Sequence, residues 1–285
     1  MSAPRLSVVT PVRNRLPSLL SSLPSWQRCA QVGEIVVVDL GSAEPIRAQH
    51  FSSVDKLKIV RVANADCWRI GLAINIGVDC AAHDGICKLD ADIELHGTAL
   101  SSTLDLASAF YRGRAGTPVS NGQVIFHRSH WRSVGGYNEW LSGYGYDDSD
   151  FYTRLRRQGL AERDIEAGWL TEHRHGNEIR AATDLRTEFF TIQCPTADDR
   201  LVYMLSRNTY LAMLRRWTPE LRTTYRGEEL ADGTMRVTLD AMADDYRWAD
   251  GMASMLAVVR VSGIPRQVEL LNSLVSRYLA ECGGL

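Results

Sequence analysis

The chain has 285 residues, of which 45% are hydrophobic and 23% charged, so it is neither disordered nor collagen-like as a whole. Its length predicts about two structural units. With 32 basic and 34 acidic residues the formal net charge is -2, which excludes a general nucleic-acid binder but leaves a local phosphate site open.

The first half of the chain alternates strand and helix patterns. Strands are predicted over residues 6–10, 34–39, 58–62 and 85–89, and helices over residues 16–29 and 71–82. Nearly continuous apolar runs are typical of parallel strands buried on both faces, so we predict an open, mostly parallel α/β sheet flanked by helices. Ligands bind beyond the carboxyl ends of such strands, where Asp39, Asp90 and Asp92 fall.

The pattern changes in the middle of the chain. A short strand at residues 123–127 is followed by a loop rich in glycine and aromatic residues at 135–146 and by a helix at 147–158. From about residue 180 the pattern becomes helical. We therefore predict an α/β domain over residues 1–179 and a helical extension over residues 180–285.

Cysteine usage and hydropathy bear on the compartment. The six cysteines form no CxxC pair or zinc pattern, which favours reduced thiols in the cytoplasm. No apolar signal core follows the N-terminus, and the apolar stretch 252–261 is interrupted by Arg260 and too short to span a bilayer. We expect no transmembrane segment; a peripheral position at a membrane is the alternative.

Two aspartates converge at the end of the fourth strand. In Asp90-Ala91-Asp92 the carboxylates are two residues apart, so on extended backbone they point the same way. Paired carboxylates suit Mg²⁺ or Mn²⁺, whereas a solvated turn is the alternative because Asp is common after strands.

A second acidic group, Asp147-Asp148-Ser149-Asp150, opens the helix at 147–158. It fits either helix capping or a general base at a helix start, and sequence alone favours capping. The neighbouring Trp140, Tyr144 and Tyr146 could stack on a sugar ring.

An HxH pair, His173 and His175, follows an apolar segment. Extended backbone puts both imidazoles on one side, where one could complete an Asp-based metal site, although a surface turn is the ordinary alternative. No Walker loop, GxGxxG after the first strand, or GxSxG is present, which removes the common ATPase, dehydrogenase and α/β-hydrolase interpretations.

The order of these motifs resembles nucleotide-sugar glycosyltransferases of the GT-A fold. The nearest likeness is to the large inverting family that contains hyaluronan and chondroitin synthases, and the chain is also similar to galactosyl- and N-acetylgalactosaminyltransferases. The likeness runs from Leu6 to about Asn177. It is carried by the segments VVTPVRNR (8–15), VVVD (36–39), KLDAD (88–92), GGYNE (135–139) and GYGYDDSD (143–150).

The resemblance implies roles for individual residues. The nucleotide-sugar-binding set that it implies is Pro11, Arg13, Asp39, Arg69, Asn75 and Asp90. It also implies that Asp92 and either His173 or His175 hold Mn²⁺ or Mg²⁺. Asp147 or Asp148, with Asp148 favoured, then takes the proton of the acceptor hydroxyl, and Trp140, Tyr144 and Tyr146 contact the acceptor or the sugar.

The expected activity is therefore a metal-dependent, inverting transfer of a sugar from a nucleoside-diphosphate sugar, with UDP favoured, to an acceptor hydroxyl on a glycan, lipid-linked or small molecule. The alternatives are a retaining GT-A enzyme, a nucleotidyltransferase and a non-catalytic sugar-nucleotide-binding subunit. A glycine-rich phosphate loop after the first strand would favour the nucleotidyltransferase, but residues 11–16 contain no glycine. A homo-oligomer is compatible with the sequence.

Overall fold

The computed structural model describes residues 5–53, 55–65, 67–96, 104–113, 122–166, 168–173, 176, 178, 194, 196–240 and 244–262. Within these residues a large sheet has the strand order β10-β11-β3-β2-β1-β4-β7-β6-β8, and β5 pairs with β9 in a small second sheet. The strands are β1 (Leu6–Val12), β2 (Val32–Leu40), β3 (Leu57–Val62), β4 (Gly85–Lys88), β5 (Ile93–Leu95), β6 (Ala109–Arg112), β7 (Val124–His127), β8 (Ala161–Asp164), β9 (Leu170–Glu172), β10 (Tyr225–Glu229) and β11 (Met235–Leu239).

The helices agree closely with the periodicity of the sequence. They are α1 (Leu16–Arg28), α2 (Ile70–Cys80), α3 (Arg128–Ser133), α4 (Asp147–Arg157), α5 (Ala197–Leu214) and α6 (Asp244–Ser262). The α/β class expected from the alternating strands and helices is confirmed: β4, β1, β2, β3 and β11 run parallel, whereas β7 is antiparallel to both β4 and β6.

Both faces of the sheet are covered, so its central strands are buried throughout. Side chains alternate between the faces, which separates the core into two clusters. Val8 lies in the cluster beneath α1, and Val9 lies in the cluster beneath α2. Helix α2 approaches the sheet closely at Gly77, where a Cβ atom would overlap Val9. Because a helix packs on each face of the central strands, the strands and the residues at their carboxyl ends are held in place.

The C-terminal part of the chain corrects one expectation. The region 180–285 is not purely helical, because β10 and β11 lie within it and β11 pairs in parallel with β3. The strand pattern is weak because β10 is mostly exposed, so it lacks the apolar run of a buried strand. The proposed boundary between residues 179 and 180 lies outside the described residues.

In the part of the chain that the structure describes, no helix combines the length and the apolar character needed to cross a bilayer.

Candidate active site

The DxD acids lie in a turn at the carboxyl end of β4 that is only partly solvated, since the side chain of Asp90 is 35% exposed. Asp90 accepts a hydrogen bond from the side-chain amide of Gln123 at 2.7 Å, while its own backbone N–H donates to Oε1 of Gln123 at 2.8 Å. Asp92 is buried and its backbone carbonyl accepts from the N–H of His173 at 2.8 Å. These partners belong to elements far away in sequence, so the turn is shaped by the tertiary fold.

The second acidic group opens α4. The N-cap residue of this helix is Tyr146, held at a left-handed φ of 70°, and within the described structure no side chain caps the N-terminus. The helix therefore begins one residue too early for Asp147 to cap it. None of these aspartates is therefore the N-cap residue, although Asp147, Asp148 and Asp150 all lie in the first turn, where acidic side chains complement the helix dipole.

Both acidic groups meet at Lys88, which is the last residue of β4. Its Nζ lies 2.9 Å from Oδ1 of Asp90 and 3.9 Å from Oδ1 of Asp148, and it donates to the carbonyl of Gly122 at 2.7 Å. Gly122 has a φ of 93° and a Cβ atom there would lie 2.8 Å from Oδ2 of Asp148. Glycine is therefore required for this close approach.

Burial and mutual repulsion set the acidity of this cluster. Burial raises the pKa of Asp148 well above its ordinary value, Lys88 opposes that shift, and the charges of Asp147 and Asp90 add to it. Burial likewise raises the pKa of Asp147. Tyr137 donates to Asp148 at 3.4 Å, and its own pKa is raised by burial and by that carboxylate. A carboxylate with a raised pKa is a stronger base than a solvated one, as proton abstraction requires.

The candidate metal ligands Asp92 and His173 lie next to the small sheet, one residue before β5 and one residue after β9. Strand β5 pairs with β9 so that Ile93 lies opposite Glu172, which brings Asp92 beside His173. Nε2 of His173 lies 3.0 Å from Oε1 of Glu94, a partner that the sequence analysis did not identify. His175 is outside the described residues. Among those that are described, no cluster of three or more His, Cys, Asp or Glu side chains has a metal-binding arrangement.

The residues predicted to bind the nucleotide differ in how free their polar atoms are to contact a ligand. Arg13 follows β1, and its Nη1 is buried without a hydrogen-bond partner in the described structure, which fits an anionic or carbonyl ligand. Pro11 is buried within β1, and Arg69 is buried at the start of α2. Asp39 is fully buried; it accepts from the N–H groups of Ser42 and Ile46 and from Arg61. The carboxylate of Asp39 thus holds the loop after β2, and its binding of a base stays a prediction.

Asn75 differs from the expectation. Its side chain is 0% exposed, and its amide bonds within the protein at every position. Its amide nitrogen donates to the carbonyl of Tyr137 and to Glu139, and its oxygen accepts from Trp131 and from the N–H of Tyr137. An amide that is saturated and enclosed cannot reach a nucleotide, so Asn75 holds the glycine-rich segment against α2 instead.

The three candidate sugar-contacting aromatic residues also differ from one another. Trp140 is only 2% exposed and packs edge-on against Trp217 and Tyr246, which makes it a core residue and corrects its assignment to the acceptor. Tyr146 is partly buried against the same cluster. Tyr144 is 36% exposed and is the member of the three that is open to a ligand.

Helix α5 fixes the loop that carries Tyr144. The amide nitrogen of Asn208 donates to the carbonyls of Ser142 at 3.1 Å and Gly145 at 2.8 Å. The neighbouring Arg207 is fully buried and donates to the hydroxyl of Ser142 at 2.7 Å. The C-terminal part of the chain therefore determines the shape of the loop that leads into α4.

Sequence reasoning missed Lys88, Glu94, Gln123 and Asn208. Lys88 offers one clue, because a lysine inside an otherwise apolar strand is unusual unless it has a buried partner. The other three depend on contacts between distant segments.

We expect Asn208→Ala to loosen the segment 142–146. The variant loses the hydrogen bonds from the side-chain amide of residue 208 to the carbonyls of Ser142 and Gly145. Leaving these carbonyl groups unsatisfied lowers the free energy of unfolding by about 1–3 kcal/mol. Hydrogen–deuterium exchange should rise in this segment, and denaturant unfolding should give the stability change. Thr209→Ala is the matched control because its hydroxyl bonds only to the carbonyl of Leu205 in its own helix. Equal exchange in both variants would contradict the assignment.

Comparisons with known proteins bear on the fold and on one segment of the chain. A family model described as the N-terminal domain of galactosyltransferase matches residues 103–177. The catalytic domain of Drosophila β1,4-galactosyltransferase 7 with xylobiose is similar at 16% identity and a TM-score of 0.53, covering 86% of this chain and 98% of that one. A mutant of the same enzyme with manganese, UDP-Gal and xylobiose gives 16% and 0.54, covering 87% and 99%.

A third solved structure, from a different organism, has the same fold. The mannosyltransferase PcManGT from Pyrobaculum calidifontis, solved with GDP-Man and Mn²⁺, is 15% identical with a TM-score of 0.52, covering 98% of this chain and 81% of that one. No curated protein sequence matches the chain. The family match lies on the segment that contains α4 and its acids, and the matching structures share the fold. The chain has the fold of GT-A glycosyltransferases, and its residues 103–177 match the N-terminal domain of galactosyltransferase.

Proposed function

We propose that the protein transfers a sugar from a nucleoside-diphosphate sugar to an acceptor hydroxyl with inversion at the anomeric carbon. The observation that carries this proposal is the meeting of Asp90, Asp147 and Asp148 around one buried cation, beside the adjoining pair Asp92 and His173. Convergent carboxylates are costly to bury, and a non-catalytic scaffold has no need of them.

Arg13 and the strand-end acids supply the donor side of this proposal. The orphaned Nη1 of Arg13 can donate to a base or a phosphate, and Asp90 stands at the carboxyl edge where ligands of open sheets bind. Related structures hold UDP-Gal or GDP-Man, which supports a nucleotide sugar. We favour UDP as the nucleotide.

Asp148 supplies the chemistry on the acceptor side. In a single displacement the acceptor oxygen forms the new bond to the anomeric carbon while the bond from that carbon to the diphosphate oxygen breaks. Asp148 takes the hydroxyl proton, and the nucleoside diphosphate leaves with the electron pair. A base on the face opposite the leaving group gives inversion, and the raised pKa of Asp148 suits it to this task.

Asp92 and His173, which adjoin through a backbone hydrogen bond, are the residues that would hold a divalent cation. A carboxylate and an imidazole are ligand types that Mn²⁺ accepts. When bound, the ion neutralises charge on the leaving diphosphate as a Lewis acid. Glu94 orients His173 through Nε2.

Thermal unfolding in the presence of nucleotide sugars tests the donor class. A ligand that binds the folded protein at about 100 times its Kd stabilises it by about 2.7 kcal/mol, so the true donor should raise Tm, and more so with Mn²⁺. We expect UDP-sugars to lead a panel that also contains GDP-, ADP- and CMP-sugars. No shift from any of them would reject the proposal. NMR of the product anomer then separates inversion from retention.

Asp148→Asn should keep donor binding and lose turnover. The asparagine preserves the shape of the side chain but takes no proton, so kcat should fall by about 10²–10⁴-fold with the donor Kd within about twofold. Steady-state kinetics and calorimetry measure the two quantities. Asp150→Asn, on the same helix, is the control because Asp150 pairs with Arg154. Near-normal turnover of Asp148→Asn would mean that another group is the base.

Asp92→Ala should remove the dependence on divalent cations. Calorimetric titration of Mn²⁺ in the presence of nucleoside diphosphate should show weakened binding by at least about tenfold, because half of the described ligand pair is gone. Asp232→Ala, in the turn between β10 and β11, is the control. An unchanged metal titration would exclude Asp92 as a ligand.

A further inference from the structure

Lys88 places a charge inside an apolar layer. It is 1% exposed, on the sheet face that Ile86 shares with Phe126 and Phe151. An ammonium group is buried at such a place only when other groups compensate its lost hydration. The nearby carboxylates do so: burial alone would lower the pKa of Lys88, but Asp148 and Asp90 reverse the shift and raise it.

The contacts of Lys88 are uneven. Two lie at hydrogen-bond distance, at 2.7 Å to the carbonyl of Gly122 and 2.9 Å to Asp90, whereas Asp148 is 3.9 Å away. The first two fix the nitrogen firmly. The third is an ion pair without a hydrogen bond from Lys88. The carboxylate of Asp148, which accepts from the hydroxyl of Tyr137 at 3.4 Å, therefore keeps its other lone pairs available for a proton.

We propose that Lys88 is a positioning residue that ties the two acids of the site together: its ammonium group holds Asp90 on the donor side and stabilises the charge of Asp148 on the acceptor side. This inference rests on the proposed function, because it gives Asp148 the role of base. The motif KLDAD at 88–92 thus contributes three functional side chains to the site.

The charges around Asp148 support this assignment. Asp147 and Tyr152 face it from α4, Asp90 from the end of β4, and Tyr137 from the loop before α4. Asp147 and Asp90 raise the pKa of Asp148, as burial does, whereas the hydrogen bond from Tyr137 lowers it. Lys88 is the cation among these groups, and it lowers the pKa more than Tyr137 does. Without it, Asp148 would be protonated over a wider pH range and could not accept a proton there.

The test is a ¹³C NMR titration of the aspartate carboxyl groups, with Asp148→Asn identifying the signal of Asp148. In Lys88→Met, which keeps the length of the side chain but not its charge, the midpoint of Asp148 should rise by about 1–3 pH units, since an opposite charge at this distance lowers a carboxyl pKa by that amount. Lys58→Met is the matched control because Lys58 bonds to the carbonyl of Cys80, away from the site. Lys88→Gln, which can still donate hydrogen bonds, replaces the methionine variant if that one does not fold.

Kinetics separate positioning from a purely structural role. In the pH profile of kcat, the pH at which turnover is lost on the acidic side should be higher in Lys88→Met by the same amount as the NMR midpoint. Turnover therefore falls at least about tenfold at neutral pH and recovers as the pH rises. A structural defect would lower kcat equally at every pH. An unshifted midpoint in a folded variant overturns the inference. If the wild-type protein transfers no sugar but the titration midpoint of Asp148 is still higher in Lys88→Met than in the wild type, the proposed function fails while the charge coupling by Lys88 stands.

Discussion

Negative charge concentrated where water is scarce is the constraint on which this site depends. The parallel strands end at one edge, and the chain places the carboxylates of Asp90, Asp92, Asp147 and Asp148 there. Like charges that are gathered at one partly buried edge repel one another strongly, so this arrangement is stable only with cations nearby. Lys88 provides one of them within the chain itself, and the remaining negative charge makes this edge attractive to a divalent ion.

Much of the site is held by polar groups that never touch a ligand. Asn75 binds the glycine-rich segment to α2 through a saturated amide, and Asn208 performs the same task from α5 on the loop before α4. Tyr146, in its left-handed conformation, joins that loop to the helix. A precise start for α4 matters because a small rotation of this helix would carry Asp148 away from Lys88.

The sequence predicted the secondary structure of the α/β half because apolar runs and helical periodicity are local properties. It also predicted that Asp90 and Asp148 would share a site, since motif order along a known fold fixes the edge at which each acid lies. It failed at Trp140, whose aromatic neighbours Trp217 and Tyr246 come from the C-terminal part of the chain. Burial is a property of the assembled fold, and neither residue type nor spacing reveals it. The same reason explains the missed strands β10 and β11, whose pairing depends on β3 rather than on their own pattern.

The pairing of β11 with β3 has a consequence for the order in which the chain can fold. Until residue 239 has left the ribosome, β3 presents an open edge of unpaired backbone groups next to a β-branched core. Such an edge is a template for association with other chains. The late strands therefore extend the sheet and move its edge from β3 to β10, a short, mostly exposed strand that carries two glutamates and is a poorer template for such association.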